Sequence, residues 1–396
     1  MTVLVAGAGH PGGREIPRSA GFHVEFFRDW KQAATRWNDI GVSTPFQDPR
    51  WLDAWYRAFA NFDSVEPLIA IISDAATLQQ VALLPLVRRV QNGVRIIEFA
   101  DLDLTDYNAP MLGGAAAPRD ARSARALWRD LLAALKRSPG GADLIRLRKM
   151  PVELERQPNP LALLDGASPC PLNGNVVTTG DDFDVYRYSL GRTVRKELER
   201  SWRVFTRYPG AAFQIVADQD EALRVLSTME IQQGARMQHL GLNFILNNET
   251  SAAFYRHIVG ENLRSGYAVL SALTVGEQVI ATLLGVRSGQ RYVMVRISNA
   301  GEKWSNCSPG RLIIGRTMAA LHRDGVRSFD FSIGNYTYKR RFGVAPVALV
   351  DITAALSWRG IPYALRDRAV RELRRHPRLA AYVGRALGKP PSREEY

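Results

Sequence analysis

Ser308, Pro309, Gly310 and Arg311 are the first residues whose order points to chemistry, because together they open a helix. Serine suits the capping position and proline the first helical one. Free amides at such a start attract phosphate, and Gly310 lets a ligand approach the backbone closely. Soon after comes Phe329-Asp-Phe-Ser-Ile-Gly-Asn-Tyr-Thr-Tyr-Lys-Arg-Arg-Phe-Gly343, which gathers a carboxylate (Asp330), two phenols (Tyr336 and Tyr338) and an amine (Lys339). Two readings stay open: these groups handle protons in a site, or Asp330 orients the loop, the tyrosines pack and Lys339-Arg340-Arg341 is a solvated charge run. No serine or cysteine elbow accompanies them, so nothing points to a covalent enzyme. His239, His257 and His322 fall in expected helices or at their ends, where a lone histidine is more often structural. Cys170 and Cys307 are too few and too far apart for a disulfide framework or a zinc site, so no metal is expected. Near the start, Gly7, Gly9 and Gly12 follow an apolar run in dinucleotide-binding spacing. Pro11, Gly13 and Pro17 stand where a helix would have to begin, which favours a disordered leader over 1–20.

These groups need a frame, and the second half of the chain supplies one. Its periodicity predicts a strand at 212–216, helices at 219–237 and 249–265, and a hairpin of 267–275 and 278–286 around Gly276-Glu277. A strand at 291–297, a helix at 310–324 stopped by Gly325, a short strand at 328–331 and a last strand at 347–356 follow. Ahead of them, 191–208 reads as a basic helix. Arg192, Arg195, Lys196, Arg200, Arg203 and Arg207 recur opposite Val194, Leu198, Trp202 and Phe205. That face is either solvated, with the helix packed through Trp202, or a wall turned toward an anion.

The first half repeats the mixture. It offers a strand at 23–27, helices at 30–40 and 50–61, the second capped by Asp48 with Pro49 behind it, and strands at 67–72, 81–87 and 94–99. A polar loop at 101–108, a helix at 119–138 and a strand at 143–147 complete it. Strands and helices in this order indicate an α/β fold of α+β layers. Proline, glycine and asparagine crowd 150–184, which marks a crossing between domains. The expected division is a leader (1–20), an N-terminal domain (21–169), an inter-domain segment (170–190), a C-terminal domain (191–362) and a basic tail (363–396). The halves share an order of elements without a residue-level repeat, consistent with two copies of one fold. The tail is amphipathic over 365–387 and broken by Pro377. It either packs on its own domain or lies on an anionic membrane.

Composition agrees with two cores: 396 residues exceed the ~250–300 at which one core stops growing, and 46% hydrophobic content supplies both. A formal charge of +13 favours anionic partners, whether a phosphate-rich cofactor, RNA or a membrane surface, unless arginine usage is merely compositional. No run approaches the ~18 apolar residues of a membrane span. Residues 1–14 lack a basic leader followed by an apolar stretch. The expected location is the cytoplasm.

The stretch 267–343, with Ser308-Pro-Gly-Arg-Leu-Ile, the Phe-Asp-Phe-Ser-x-Gly turn and Tyr338-Lys-Arg-Arg-Phe-Gly343, resembles the CelD-like branch of the GNAT acyltransferase superfamily, a relative of the Fem peptidoglycan aminoacyltransferases. Thr44-Pro-Phe-Gln-Asp-Pro-Arg-Trp-Leu-Asp-Ala-Trp, Leu84-Pro-Leu and Asp106-Tyr107-Asn-Ala-Pro110 are similar to that branch's first domain, so the resemblance spans 22–356. It implies two tandem GNAT-like domains that pass an acyl group to an amine, usually without metal. Lys339 then stands where Fem-like relatives carry a lysine near the reacting carbonyl, to stabilise the oxyanion. Tyr338 or Tyr336 would protonate the leaving group, and Asp330 would accept the amine proton. Asp106, Tyr107 and Tyr336 are the substrate-binding candidates, and Ser308, Pro309, Gly310 and Arg311 the donor-binding ones. The segment 299–310 departs from the Arg/Gln-x-x-Gly-x-Gly/Ala loop of acyl-CoA members. The expected donor is acyl-CoA as a co-substrate, with no permanently bound cofactor, and the acceptor a sugar or other small molecule of an exopolysaccharide or cell-envelope pathway. Aminoacyl-tRNA as donor and a non-catalytic accessory role are the alternatives.

Overall fold

The computed structural model describes residues 21–38, 41–60, 62, 64–242, 248–334 and 336–375. The glycines of the leader and the tail beyond 375 lie outside them. Strand β1 (Phe22–Phe27) is followed by α1 (Trp30–Arg36) and α2 (Pro49–Phe59), the latter capped by Asp48, whose carboxylate accepts from the Arg50 amide. Strands β2 (Ile69–Asp74), β3 (Gln80–Leu84), β4 (Leu86–Gln91) and β5 (Val94–Phe99) form successive antiparallel turns. Pro85 has no amide to offer a ladder, and it splits what would be one strand: β3 pairs with β2, and β4 pairs with β5. Helix α3 (Ala121–Arg137) presents Ala124, Leu127, Leu131 and Leu135 to the core at helical spacing. It carries the chain over to β6 (Leu144–Pro151), which lies parallel to β5.

The second half repeats this order. Strand β7 (Gly174–Thr178), α4 (Phe183–Ser189) and α5 (Arg192–Phe205) precede it. Then come β8 (Ala211–Ile215), the helices α6 (Gln219–His239) and α7 (Glu249–Asn262), and the antiparallel β9 (Ala268–Val275), β10 (Gln278–Ser288) and β11 (Arg291–Asn299). Helix α8 (Pro309–Arg323) crosses to β12 (Ser328–Asp330), parallel to β11. Strand, two helices, an antiparallel run, helix and parallel strand thus occur twice, the run counting four strands in the first half, where Pro85 divides one, and three in the second; this is the tandem α/β arrangement expected.

The halves are not cut cleanly along the chain, however. Strand β7, in the segment expected to be a linker, inserts into the second sheet beside β12, pairing Val176 with Asp330. After the short α9 (Thr337–Arg340) and β13 (Ala345–Val347), strand β14 (Leu349–Ala355) returns to the first half and pairs along β6. The expectation that 347–356 closes the second domain is therefore corrected: each half lends the other a strand. The Asn- and Gly-rich start of β7 reads as a turn, yet its strand is held from outside, since the Asn175 amide donates to the carbonyls of Ser332 and Gly334, both at 2.9 Å.

A shared core joins the halves where α2 meets α7. Trp51 packs edge-on against Phe254 at 5.0 Å, and the Tyr267 hydroxyl donates to the Pro45 carbonyl at 2.8 Å. Two further apolar clusters lie under α3 and around α8. The last described helix, α10 (Ile361–Arg375), lies on β14, with Asp367 held by Arg146 of β6 at 2.7 Å. Among the described residues no helix is long and apolar enough to cross a membrane.

Candidate functional site

Strands β11 and β12 part after a short parallel run. Across from β11, Leu284 pairs with Arg296 and Gly285 with Met294, so Val295 is an extra residue and the strand bulges. Gly285 permits this: a Cβ there would stand 2.3 Å from the Tyr292 ring and 2.4 Å from the Val293 carbonyl. Beyond the bulge β11 runs on to Asn299 while β12 has ended, because the two pair only from Arg291–Val293 to Ser328–Asp330. The chain leaving β12 turns away through Ser332, at φ +63°, and Gly334.

Asp330 sits at the root of that turn, fully buried. Its carboxylate accepts from the Ser332 amide at 2.7 Å, from the Tyr107 hydroxyl at 2.8 Å and from the Arg291 guanidinium. Three donors thus occupy the Asp330 carboxylate, which leaves about one of its four acceptor sites uncommitted. Lys339, buried on α9, donates through Nζ to the carbonyls of Ile333 (2.6 Å) and Ser332 (3.3 Å). Burial lowers its pKa to about 8 against the pull of Asp106 and Asp330. Asp106, partly exposed on the loop of the first half, takes a hydrogen bond from the Ser332 hydroxyl. Burial raises its pKa to about 6, with the Ser332 bond and the Lys149 charge opposing. Lys149 in turn fixes that loop by bonding Asp101 (2.7 Å) and the Thr105 carbonyl (2.6 Å). Tyr336 is exposed and stacks on Tyr338 at 6.1 Å; burial, then Tyr336, pushes the Tyr338 phenol up to about 12.

The structure thus brings Asp106, Tyr107, Asp330, Tyr336, Tyr338 and Lys339 into one neighbourhood built from both halves. The start of α8 is linked to the segment that carries Lys339 through Glu197, which pairs with both Arg311 and Arg341. Ser308 occupies the capping position, but its backbone is left-handed (φ +46°) and its side chain caps nothing, which corrects the expected serine cap. The preceding turn, Glu302–Cys307, closes onto it through the Ser308 amide, and its hydroxyl instead accepts from Arg311 at 2.9 Å. Arg311 is further held by Glu197 at 2.7 Å, which also holds Arg341. Pro309 is buried, and a Cβ on Gly310 would come no nearer than 3.7 Å to Asn299, so the first turn of α8 is open toward the end of β11.

Sequence reasoning missed a polar cluster where α6 packs on β11. Arg296, on β11 beside the bulge, is buried. It bonds the Gln233 side-chain oxygen at 2.6 and 3.0 Å and lies 4.6 Å from the Tyr255 ring centre. Gln233 donates to the Ile297 carbonyl at 2.9 Å. Glu230 and Arg296 stand 3.9 Å apart, each with a buried atom that makes no hydrogen bond. A charged residue amid the apolar run Tyr292–Ile297 was the available signal. Arg291, which neutralises Asp330, was missed as well. Among the described residues no group of three or more His, Cys, Asp or Glu is placed to hold a metal, and both cysteines are free.

Residues 192–340 match the family described as acetyltransferase (GNAT) domain. The match to a GNAT acetyltransferase domain covers the second half of the fold as far as α9. Arg291, Arg296, Ser308, Asp330 and Lys339 lie inside the matched span, while Asp106 and Tyr107 reach it from the first half. Over the whole chain the fold is similar to that of FemX, with a TM-score of 0.56 at 9% identity, covering 83% of this chain and 96% of FemX. A conserved protein of unknown function from Bacteroides thetaiotaomicron is similar over 85% of this chain and 100% of its own, with a TM-score of 0.50 and 10% identity. A tandem GNAT protein from the clavulanic acid biosynthesis pathway also matches, at a TM-score of 0.47 and 12% identity, over 85% of this chain and 99% of its own. At such identities the likeness concerns the fold alone. No curated protein matches the sequence significantly.

Proposed function

We propose that this acyltransferase moves an acyl group, an acetyl group foremost, from acyl-CoA to an amine or hydroxyl of a sugar or cell-envelope precursor, as a member of the CelD-like branch. The observation that carries the reading is the parting of β11 from β12, which leaves the β11 edge from Met294 to Asn299 without a strand partner for the donor's amide-bearing arm, with only its Ile297 carbonyl taken by Gln233, and ends at the first turn of α8. The Gly310 amide there suits a donor phosphate, since Pro309 has no N–H and the Arg311 and Leu312 amides are taken by the Ser308 carbonyl; Arg311, already neutralised by Glu197, serves less well.

In this reading the acceptor lies between Asp106 and the loop at 333–339. As its nitrogen or oxygen bonds to the carbonyl carbon, the proton it loses passes to Asp106, whose pKa near 6 leaves it charged at neutral pH. That role, expected of Asp330, moves to Asp106 because Asp330 is occupied by Arg291 and Tyr107. The Lys339 ammonium stabilises the oxyanion, and Tyr338 donates a hydrogen bond to the sulfur as the C–S bond breaks.

A second reading, aminoacyl-tRNA as donor, draws support from the exposed cations Arg192, Lys196, Arg200 and Arg203 on α5 and Arg207 just beyond it. One experiment separates the two: mass spectrometry of purified protein given acetyl-CoA, longer acyl-CoAs or aminoacyl-tRNA with amino-sugar acceptors. Turnover with a CoA thioester is expected. Turnover with aminoacyl-tRNA alone moves the assignment to the second reading, and none with any donor removes both.

A further inference from the structure

On the side of α8 away from the sheet, α4 and α5 leave a groove of about 280 Å³ that the acyl-transfer site does not use. Its walls are apolar, formed chiefly by Leu190, Leu198, Trp202, Leu312, Met318 and Phe342. Gly315 lines it without being demanded by packing: a Cβ there would only graze Leu198 at 3.8 Å. A glycine inside a helix weakens it relative to alanine, so an interior glycine with room for a side chain keeps space open at a cost in stability.

The rim carries Arg187, Arg195, Arg316 and Glu199. Arg187 is satisfied by Asp184 at 2.9 Å and Glu199 at 3.4 Å. Arg316 lies flat on the Trp202 ring at 3.4 Å and Arg195 on the Tyr188 ring at 4.9 Å. Among the described residues neither is recorded in an ion pair with a carboxylate. Burial, followed by the charges of Arg323 and Arg187, lowers the Arg316 pKa. A neighbouring cavity shares Phe183, Arg316 and Ala319, and adds His322 and Arg323 opposite Asp182 and Asp184. A partly buried guanidinium that stacks on Trp202 without a carboxylate partner, at the lip of an apolar groove, suits a ligand with one anionic end and a hydrocarbon body.

We propose that this groove binds a fatty carboxylate, with its chain between α5 and α8 along Gly315 and its carboxylate on Arg316. The site is separate from the donor-binding edge of β11, so it stands whether or not acyl-CoA is the donor. The experiment is calorimetric titration of the full chain with dodecanoate, with dodecanol as the uncharged control. One-to-one binding of dodecanoate, at least tenfold tighter than dodecanol and unaffected by excess CoA, is expected. Arg316→Gln, which breaks no ion pair, should weaken dodecanoate about tenfold, the loss of one charge-assisted bond, and erase the preference over dodecanol. Gly315→Leu should fill the groove and abolish binding of both. No saturable binding, equal binding of acid and alcohol, retained affinity in Arg316→Gln, or displacement by CoA would each overturn the proposal; if Gly315→Leu fails to fold, the Arg316 variant and the alcohol still decide it.

Discussion

The Tyr107 hydroxyl, from the first half of the chain, donates at 2.8 Å to Asp330 of the second, whose other oxygen is held by Arg291. This contact ties the two halves together beneath the acyl-transfer loop. Removing the hydroxyl in Tyr107→Phe should cost about 1–2 kcal/mol, while Arg291→Met, which leaves a buried carboxylate uncompensated, should cost about 3 kcal/mol or more. Urea unfolding measures both. Equal, negligible losses would mean that Asp330 is not held as described.

Lys339 should write its burial into the pH dependence of stability. Its folded pKa near 8 lies below the ~10.4 of a free lysine. Between those values the unfolded chain binds the extra proton, so stability should rise with pH by a few kcal/mol in all, on the scale of 1.36 kcal/mol per unit. Lys339→Met should lose that rise, as seen in denaturation midpoints from pH 7.5 to 10.5.

Asp106 should act in the opposite direction. With its folded pKa near 6 and the unfolded one near 3.9, the folded chain holds the extra proton in between, and stability falls as pH rises through that window. Asp106→Asn should flatten this fall and be more stable than the parent at pH 7. A parent curve that stays flat from pH 4 to 6.5 would contradict the site's electrostatics.

Gly285→Ala tests the parting of the strands itself. The added methyl collides with the Tyr292 ring and the Val293 backbone, so a loss of about 3 kcal/mol is expected, together with weaker donor binding as β11 straightens. Thermal melts with and without donor report the two effects separately.

Strand exchange makes a further demand on the chain. Residues 21–170 alone would leave β6 without β14 along Leu144–Pro151, and the bare edge should prevent a cooperative melt. A sharp two-state transition from that fragment would show that the halves fold independently of the exchange.

Much of this was readable from residues. The order of elements, the Asp48 cap of α2 and the loop carrying Asp330 and Lys339 follow from local rules of spacing and capping. What escaped is what distant partners impose. Strand β7 hides behind Asn173, Gly174 and Asn175 because its pairing comes from β12 and β13, and β14 looks like part of the second half because sequence order does not show which sheet receives it. Asp330 looked like a free base because Arg291, 39 residues earlier, and Tyr107, 223 residues earlier, only meet it in the fold. Ser308 misled for a local reason: the turn before it sets a left-handed backbone that a capping rule does not foresee.

The most direct test is the rate of acyl transfer against pH for the parent chain and Asp106→Asn, measured by mass spectrometry with a saturating donor. The parent should show a bell with limbs near 6, where Asp106 loses its proton, and near 8, where Lys339 loses its charge. Asp106→Asn should be slower by about 100-fold and lack the acid limb. An unchanged profile in the variant would contradict the assignment of acyl transfer to this inter-domain site.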